Sequence, residues 1–272
     1  MKKYKLGIIG MGNMASAIVS GVINSFFLNN KDICFYEIDN EKSRKSELTL
    51  KIDLCKDIEE VLLMSEYVLL AFKPQNLKDN AEILARYFDS DKNILVSILA
   101  GIPIKYFEGL FSKKAKIIRI MPNAPVLINK GISAISVNPN INSVHKDFVI
   151  KLFGCIGSTV IIDEEYQNLA IALSGSSPAY FYLICKYMTE YAIERGLDEK
   201  IARNLVAGSM IGSGEMINNS GEDINEMIKK VASKGGTTER AIESFEKNDL
   251  KKIINDAMDM ALKRAYEIED SI

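Results

Sequence analysis

Leu6-Gly7-Ile8-Ile9-Gly10-Met11-Gly12-Asn13-Met14-Ala15 reads as an apolar strand that breaks into a glycine turn and opens a helix. The turn has the spacing G-x-G-x-x-A, and each small residue has a physical task. Gly10 permits the tight turn. Gly12 lets a pyrophosphate approach the backbone, where the helix N-terminus offers unpaired N–H donors and a partial positive charge. Ala15 is small enough for the helix to pack closely on the strand. Residues Gly10, Met11, Gly12, Asn13, Met14 and Ala15 are therefore the candidate dinucleotide contacts. The competing reading is a tight strand-to-helix turn with no ligand.

Outward from this unit, short apolar runs alternate with helical patterns. Strands are expected at 6–9, 33–36, 67–71, 94–98, 117–120, 132–137 and 159–162, and several contain no polar residue, as strands buried on both faces do. Helices are expected between them, at 14–24, 41–50, 58–64, 77–88, 103–111 and 144–153. This alternation predicts a doubly wound, mostly parallel sheet of the Rossmann type over residues 1–162. From Asp163 onward no strand pattern persists, and helices are expected at 164–173, 178–196, 199–219, 224–231, 239–247 and 250–268. Pro178 suits a first helical turn, Gly196 a helix C-cap and Asp198 an N-cap. The expected architecture is thus an α/β dinucleotide-binding domain followed by an all-α substrate and dimerisation domain over residues 163–272. Ala207, Gly208, Ser209, Gly212, Ser213 and Gly214 crowd small side chains onto one helix, fit for close packing across a subunit interface or within one chain.

Composition narrows the function further. The 272 residues carry 34 basic and 36 acidic side chains, a net charge of −2, without the dense basic face of a nucleic-acid binder. No apolar run reaches the ~18–20 residues that span a bilayer. Cys34, Cys55, Cys155 and Cys185 are scattered and form no C-x-x-C pair, so neither a structural metal nor a disulfide framework is expected, and the cytoplasm is the expected compartment.

Two further places invite ligands. The second strand ends at Tyr36-Glu37, and Glu37 stands where an acid takes the ribose hydroxyls of NAD and repels the 2′-phosphate of NADP. Lys42, Arg44 and Lys45 follow and offer compensating charge, so either NAD or NADP is admissible, with Glu37 leaning toward NAD. Glu37 is otherwise a solvated turn residue. Farther on, Ser233-Lys234-Gly235-Gly236-Thr237-Thr238-Glu239 sets glycine backbone and hydroxyls at a helix start, a site for a small carboxylate. Its alternative is a plain helix N-cap at Thr237 or Thr238.

Three more motifs complete a pattern: Ala71-Phe72-Lys73-Pro74-Gln75, Arg119-Ile120-Met121-Pro122-Asn123-Ala124-Pro125 and Ser174-Gly175-Ser176-Ser177-Pro178-Ala179-Tyr180. With Gly10–Ala15 and the 233–239 loop, their order resembles the pyrroline-5-carboxylate reductases over essentially the whole chain. The resemblance implies reduction of the cyclic imine 1-pyrroline-5-carboxylate to L-proline with NAD(P)H, and subunits that pair through the helical domain, in some relatives assembling into decamers. It implies cofactor contacts at Gly10–Ala15, at Ala71, Phe72, Lys73 and Pro74, and at Ala100. It implies substrate contacts at Ser233, Gly236, Thr237 and Thr238, with Ser233 and Thr238 in the catalytic roles, and a substrate-side position for Glu164. Two residues depart from the pattern. Lys234 replaces a proline of the substrate loop, and Glu37 replaces residues suited to a 2′-phosphate.

Histidine usage points the same way. Ketone reduction usually calls for a general acid, often histidine, whereas an imine nitrogen can arrive already protonated. His145 is the one histidine of the chain, and it lies in a helical segment remote from the 233–238 loop. A hydroxyacid dehydrogenase of the 6-phosphogluconate type is the nearest rival, but Lys186 lacks the spacing its catalytic lysine requires. A catalytically silent nucleotide-binding regulator is disfavoured by the intact Ser233 and Thr238.

Overall fold

The computed structural model describes residues 4–270. By packing, the chain divides into two compact units. Unit 1 comprises residues 1–176 and 261–272; unit 2 comprises Ser177–Met260.

Among the described residues, unit 1 contains eight strands in one sheet: β1 (Tyr4–Ile9), β2 (Ile33–Tyr36), β3 (Asp53–Leu54), β4 (Ser65–Leu70), β5 (Ile94–Ser97), β6 (Lys116–Met121), β7 (Gly131–Val137) and β8 (Gly157–Ile161). Their order is β3-β2-β1-β4-β5-β6-β7-β8. Every pairing is parallel except β6 with β7, which is antiparallel. The helices are α1 (Asn13–Asn24), α2 (Asn40–Leu50), α3 (Ile58–Met64), α4 (Leu77–Tyr87), α5 (Ile104–Leu110), α6 (Ser143–Gly154) and α7 (Gln167–Ala170).

The period-two alternation of the strands explains the layering. Leu6 and Ile8, Tyr67 and Leu69, Ile94 and Val96, and Ile118 and Ile120 join a core with Ala15, Ile18, Val19 and Val22 of α1 and Val149, Leu152 and Phe153 of α6. Their neighbours Ile9, Val68, Leu70, Leu95 and Ile117 face a second core with Val61 and Leu62 of α3, Leu77 and Leu84 of α4, and Ile104 and Phe107 of α5. Both sheet faces are thus covered, which is why these strands carry so few polar residues. Side chains of Asp39, Asp57 and Asn142 accept from backbone N–H groups and start α2, α3 and α6.

The segment expected as one helix at 164–173 is instead composite. A 3₁₀ turn at Glu164–Tyr166 leads into α7, then a π-helical turn at Ile171–Gly175. Its residues pack on the sheet: Gln167 donates to the carbonyls of Arg119 and Ala134 and to the Ser136 hydroxyl. That anchoring keeps this segment in unit 1, beyond the point where strand patterns stop.

Unit 2 holds α8 (Ser177–Ile193), α9 (Glu199–Ser220), α10 (Ile224–Val231), α11 (Thr237–Lys247) and the first part of α12 (Leu250–Asp270), whose last turns belong to unit 1. Gly196 has φ +86, and Asp198 accepts from the Ile201 N–H to start α9. Helices α8 and α9 pack together. Around Gly208, Gly212 and Gly214 no described atom comes within 4 Å of where a Cβ would stand, so close packing within the chain does not use these glycines. No described helix is long and apolar enough to cross a membrane.

Candidate active site

The sheet order places β1 beside β2 on one side and β4 on the other, so the chain reverses direction of growth between β1 and β4. In such sheets ligands bind in the crevice outside the carboxyl ends of the strands at that switch point. The turn 10–12, Glu37, the 71–74 segment and the 98–103 loop all follow carboxyl ends of parallel strands, so they share this edge.

Gly10 has φ +92, and a Cβ there would stand 2.7 Å from the Phe72 backbone N and 2.9 Å from its Cα. The absence of a side chain therefore lets the turn press against the end of β4. Gly12 is the N-cap of α1 in extended conformation, makes no side-chain cap, and has open space where its Cβ would be. This leaves a bare helix N-terminus facing outward, as a pyrophosphate requires. Ala15 is fully buried in the first core, and the Met11 side chain is buried too. Ala71 and Phe72 are half-buried, Lys73 is exposed, and Pro74 starts a 3₁₀ turn.

Glu37 is not a free turn residue. Its Oε2 accepts from the Met11 N–H at 2.7 Å and its Oε1 from the Asp39 N–H at 3.0 Å. The two bonds fix the carboxylate over the first turn, so what Met11 contributes there is its backbone. Lys42 pairs with Asp39 at 3.2 Å. Lys42 and Lys45 line a groove of about 570 Å³ that runs from Met11, Gly12 and Asn13 down between α1 and α2.

At the far side of the same edge stands Glu164, expected on the substrate side, among side chains to which the sequence assigned no role. Arg119 on β6 is only 5% exposed. Its guanidinium donates to Glu164 Oε1 at 3.3 Å and to Asn168 Oδ1 at 2.8 Å. Asn168 donates in turn to Glu269 of α12 at 2.5 Å. Glu164 Oε1 also accepts from the Ile104 N–H at 2.5 Å. Burial pulls the Arg119 guanidinium below its ordinary value, while Glu164 and Glu269 favour its charged form. Glu164 is thus tied to the first residue of α5, directly after the 98–103 loop that carries Ala100. Asn123 links β6 to the π-helical turn, accepting from Ile132 N–H at 2.9 Å and donating to Ser174 O at 3.1 Å.

In unit 2 the 233–238 loop has its own logic. Gly235 has φ +76. A Cβ at Gly236 would meet Ser233 Oγ at 2.8 Å and the Ser233 carbonyl oxygen at 2.9 Å. Gly236 itself is the N-cap of α11 and has no side-chain cap, so neither Thr237 nor Thr238 fills that role. The helix begins at Thr237, and Glu239 reaches back to the Gly235 N–H at 2.6 Å. Thr238 lines an apolar cleft of about 320 Å³ with Met216, Ile217, Ile228 and Ile242, and an ion pair of Lys230 with Glu222 at 2.5 Å stands beside it.

A protein from Haemophilus influenzae that is named pyrroline-5-carboxylate reductase is 34% identical over 271 residues, covering 99% of both chains. The chain belongs to the pyrroline-5-carboxylate reductase family. The family model described as pyrroline-5-carboxylate reductase dimerisation matches residues 164–268, and one described as NADP oxidoreductase, coenzyme F420-dependent, matches residues 5–101. Two solved reductases of the family superpose over nearly the full length. That of Coxiella burnetii gives a TM-score of 0.90 at 27% identity, covering 98% of this chain and 99% of that one. That of Plasmodium falciparum, with NADP bound, gives 0.87 at 27% identity and 99% coverage of both. Family membership accounts for both halves of the chain, the glycine turn and sheet of unit 1 and the dimerisation helices.

Proposed function

We propose that this chain reduces 1-pyrroline-5-carboxylate to L-proline, the last step of proline biosynthesis, with NADH or NADPH supplying the hydride. The full-length likeness to curated reductases carries the reading. The bare N-terminus of α1, the open space at Gly12 and the close approach of Gly10 to Phe72 fit a dinucleotide pyrophosphate. Residues Gly10–Ala15, Ala71–Pro74 and Ala100 hold the cofactor side. Ser233, Gly236, Thr237 and Thr238 hold the substrate side.

On the substrate side the unpaired N–H groups at the start of α11 receive the carboxylate. The Ser233 and Thr238 hydroxyls supply the remaining hydrogen bonds, with Thr238 on the ring nitrogen. The imine carbon is reduced while the nitrogen keeps the proton it brought, so no side chain has to transfer one. The histidine usage agrees: the single histidine, His145, bonds Tyr67 near the beginning of β4, at the sheet's other edge. The residues therefore act by orienting the substrate and excluding water.

Glu37, clamped by the Met11 and Asp39 N–H groups, favours ribose hydroxyls over a 2′-phosphate, so NADH is used at least as well as NADPH. The helical unit pairs two copies of the chain. Four free thiols suit a reducing compartment, in keeping with the cytoplasm. A spectrophotometric assay with pyrroline-5-carboxylate and NADH or NADPH tests the activity directly. Oxidation of the cofactor with proline as product supports it; no oxidation with either cofactor, in a folded oligomer, removes it.

A further inference from the structure

A buried arginine at a strand's carboxyl end needs a reason, because an unpaired or idle charge there is costly. Arg119 is held by two acceptors at once, Glu164 and Asn168, and Asn168 is held by Glu269. The relay starts on α12, crosses α7 and β6, and ends on a backbone N–H, that of Ile104 at the first position of α5. Just before Ile104 lies the loop that leaves β5 beside the end of β4. Ile98 donates to Leu70 O at 3.2 Å, and Ser97 Oγ accepts from the Leu99 N–H at 3.3 Å. Gly101 has φ +78 and sits where a Cβ would be 2.7 Å from Ile268 of α12. The loop at the crevice is thus gripped from two sides by the last turns of α12, directly at Gly101 and through the polar relay at Ile104.

We propose that Arg119 and Glu164 are positioning residues: with Asn168 and Glu269 they set the 98–103 loop against the nucleotide crevice and so fix where the cofactor's reacting ring rests. This deepens the reductase reading and depends on it for its catalytic consequence. It also assigns Glu164 a different task from substrate contact. The carboxylate serves as a hydrogen-bond acceptor for a backbone N–H and as a partner for Arg119.

The geometry orders the variants. Glu164→Gln keeps an oxygen able to accept from Ile104 and Arg119. Glu164→Ala keeps none, and Arg119→Lys cannot reach Glu164 and Asn168 together because an ammonium lacks the guanidinium fork. In the full-length protein with pyrroline-5-carboxylate and NADH, kcat is expected to fall about 10- to 100-fold in Glu164→Ala and Arg119→Lys, since small misplacements of reacting groups cost that much. NADH affinity by fluorescence titration is expected to stay within about threefold, because the pyrophosphate turn is untouched. Glu164→Gln is expected to keep kcat within about threefold of wild type. Without any substrate, amide hydrogen exchange over residues 98–104 is expected to speed up about tenfold or more in Glu164→Ala and to stay near wild type in Glu164→Gln.

Wild-type turnover checks the reductase reading; the exchange measurement decides the inference whether or not turnover is seen. Unchanged protection of 98–104 in Glu164→Ala and Arg119→Lys overturns the proposal. So does a kcat within twofold of wild type in both, with only the melting temperature lowered. A Glu164→Gln variant as impaired as Glu164→Ala, with raised KM for pyrroline-5-carboxylate, overturns it in favour of a charge that contacts substrate.

Discussion

Glu37 at the end of β2 accepts a hydrogen bond from the backbone N–H of Met11 at 2.7 Å, joining the second strand to the first turn. The bond makes an acid part of the nucleotide crevice itself. On the proposed cofactor reading a 2′-phosphate would meet a carboxylate held in place by two N–H groups, and Lys42 already pairs with Asp39.

The expected outcome is a kcat/KM with NADH at least equal to that with NADPH. Glu37→Ser should shift the ratio toward NADPH by about tenfold, as removal of one like charge near a phosphate does. Steady-state kinetics with both cofactors decides it: a wild-type preference for NADPH above ~100-fold, worth ~2.7 kcal/mol, is incompatible with the assignment.

Thr238 occupies the second position of α11, after a Gly236 N-cap, so its hydroxyl is not spent on capping the helix. Thr238→Val should lower kcat/KM for pyrroline-5-carboxylate roughly 10- to 150-fold, the equivalent of ~1.5–3 kcal/mol for a hydrogen bond to a charged group. Cofactor affinity and melting temperature should hold. A variant with wild-type turnover and a lowered melting temperature would return Thr238 to a structural role.

The helical unit leaves Tyr182, Leu183, Ile184, Tyr187 and Tyr191 of α8 between 48% and 64% exposed, large apolar side chains that one copy does not cover. Leu183→Glu combined with Tyr187→Glu should reduce the mass measured by light scattering from an oligomer to a monomer. Retention of the wild-type mass would locate the interface elsewhere.

His145 and Tyr67 share a hydrogen bond at 2.8 Å. Burial lowers the His145 pKa, nearby Lys116 and Lys5 lower it further, and Glu66 opposes them. A histidine depressed in the folded state binds its proton more readily when unfolded, so the stability it supports is present above the ordinary value of about 6.5 and is lost as the pH falls below it. Urea unfolding at pH 7.5 and at pH 5.5 should show a larger loss for wild type than for His145→Gln. Equal losses would remove His145 as the source.

What the sequence disclosed and what it hid follow from distance along the chain. Leu6–Ala15 announced strand, turn and helix because all three periods lie within ten residues. β3 escaped because it has two residues and both are exposed. The 164–175 segment has helical spacing throughout, and only its anchoring on the sheet breaks it into 3₁₀, α and π turns. The 233–238 loop was legible as glycine backbone opening a helix, yet its cap, Gly236, was not, since a glycine cap leaves no side-chain signature. Arg119 was quoted within a motif without a role, for its partners lie 45 and 49 positions away. The Asn168–Glu269 contact spans 101. No local pattern encodes such pairs.

The return of α12 to unit 1 has a consequence for how the chain is made. Ile268 against Gly101 and Glu269 on Asn168 complete the nucleotide-binding body with residues that follow the whole of unit 2 in sequence. A ribosome delivers the sheet before unit 2 and its closing segment after it. The 98–103 loop therefore waits, without its final supports, while the helices of unit 2 emerge, and these long-range contacts form late. A newly made subunit can gather its partner-binding helices before its cofactor crevice is finished.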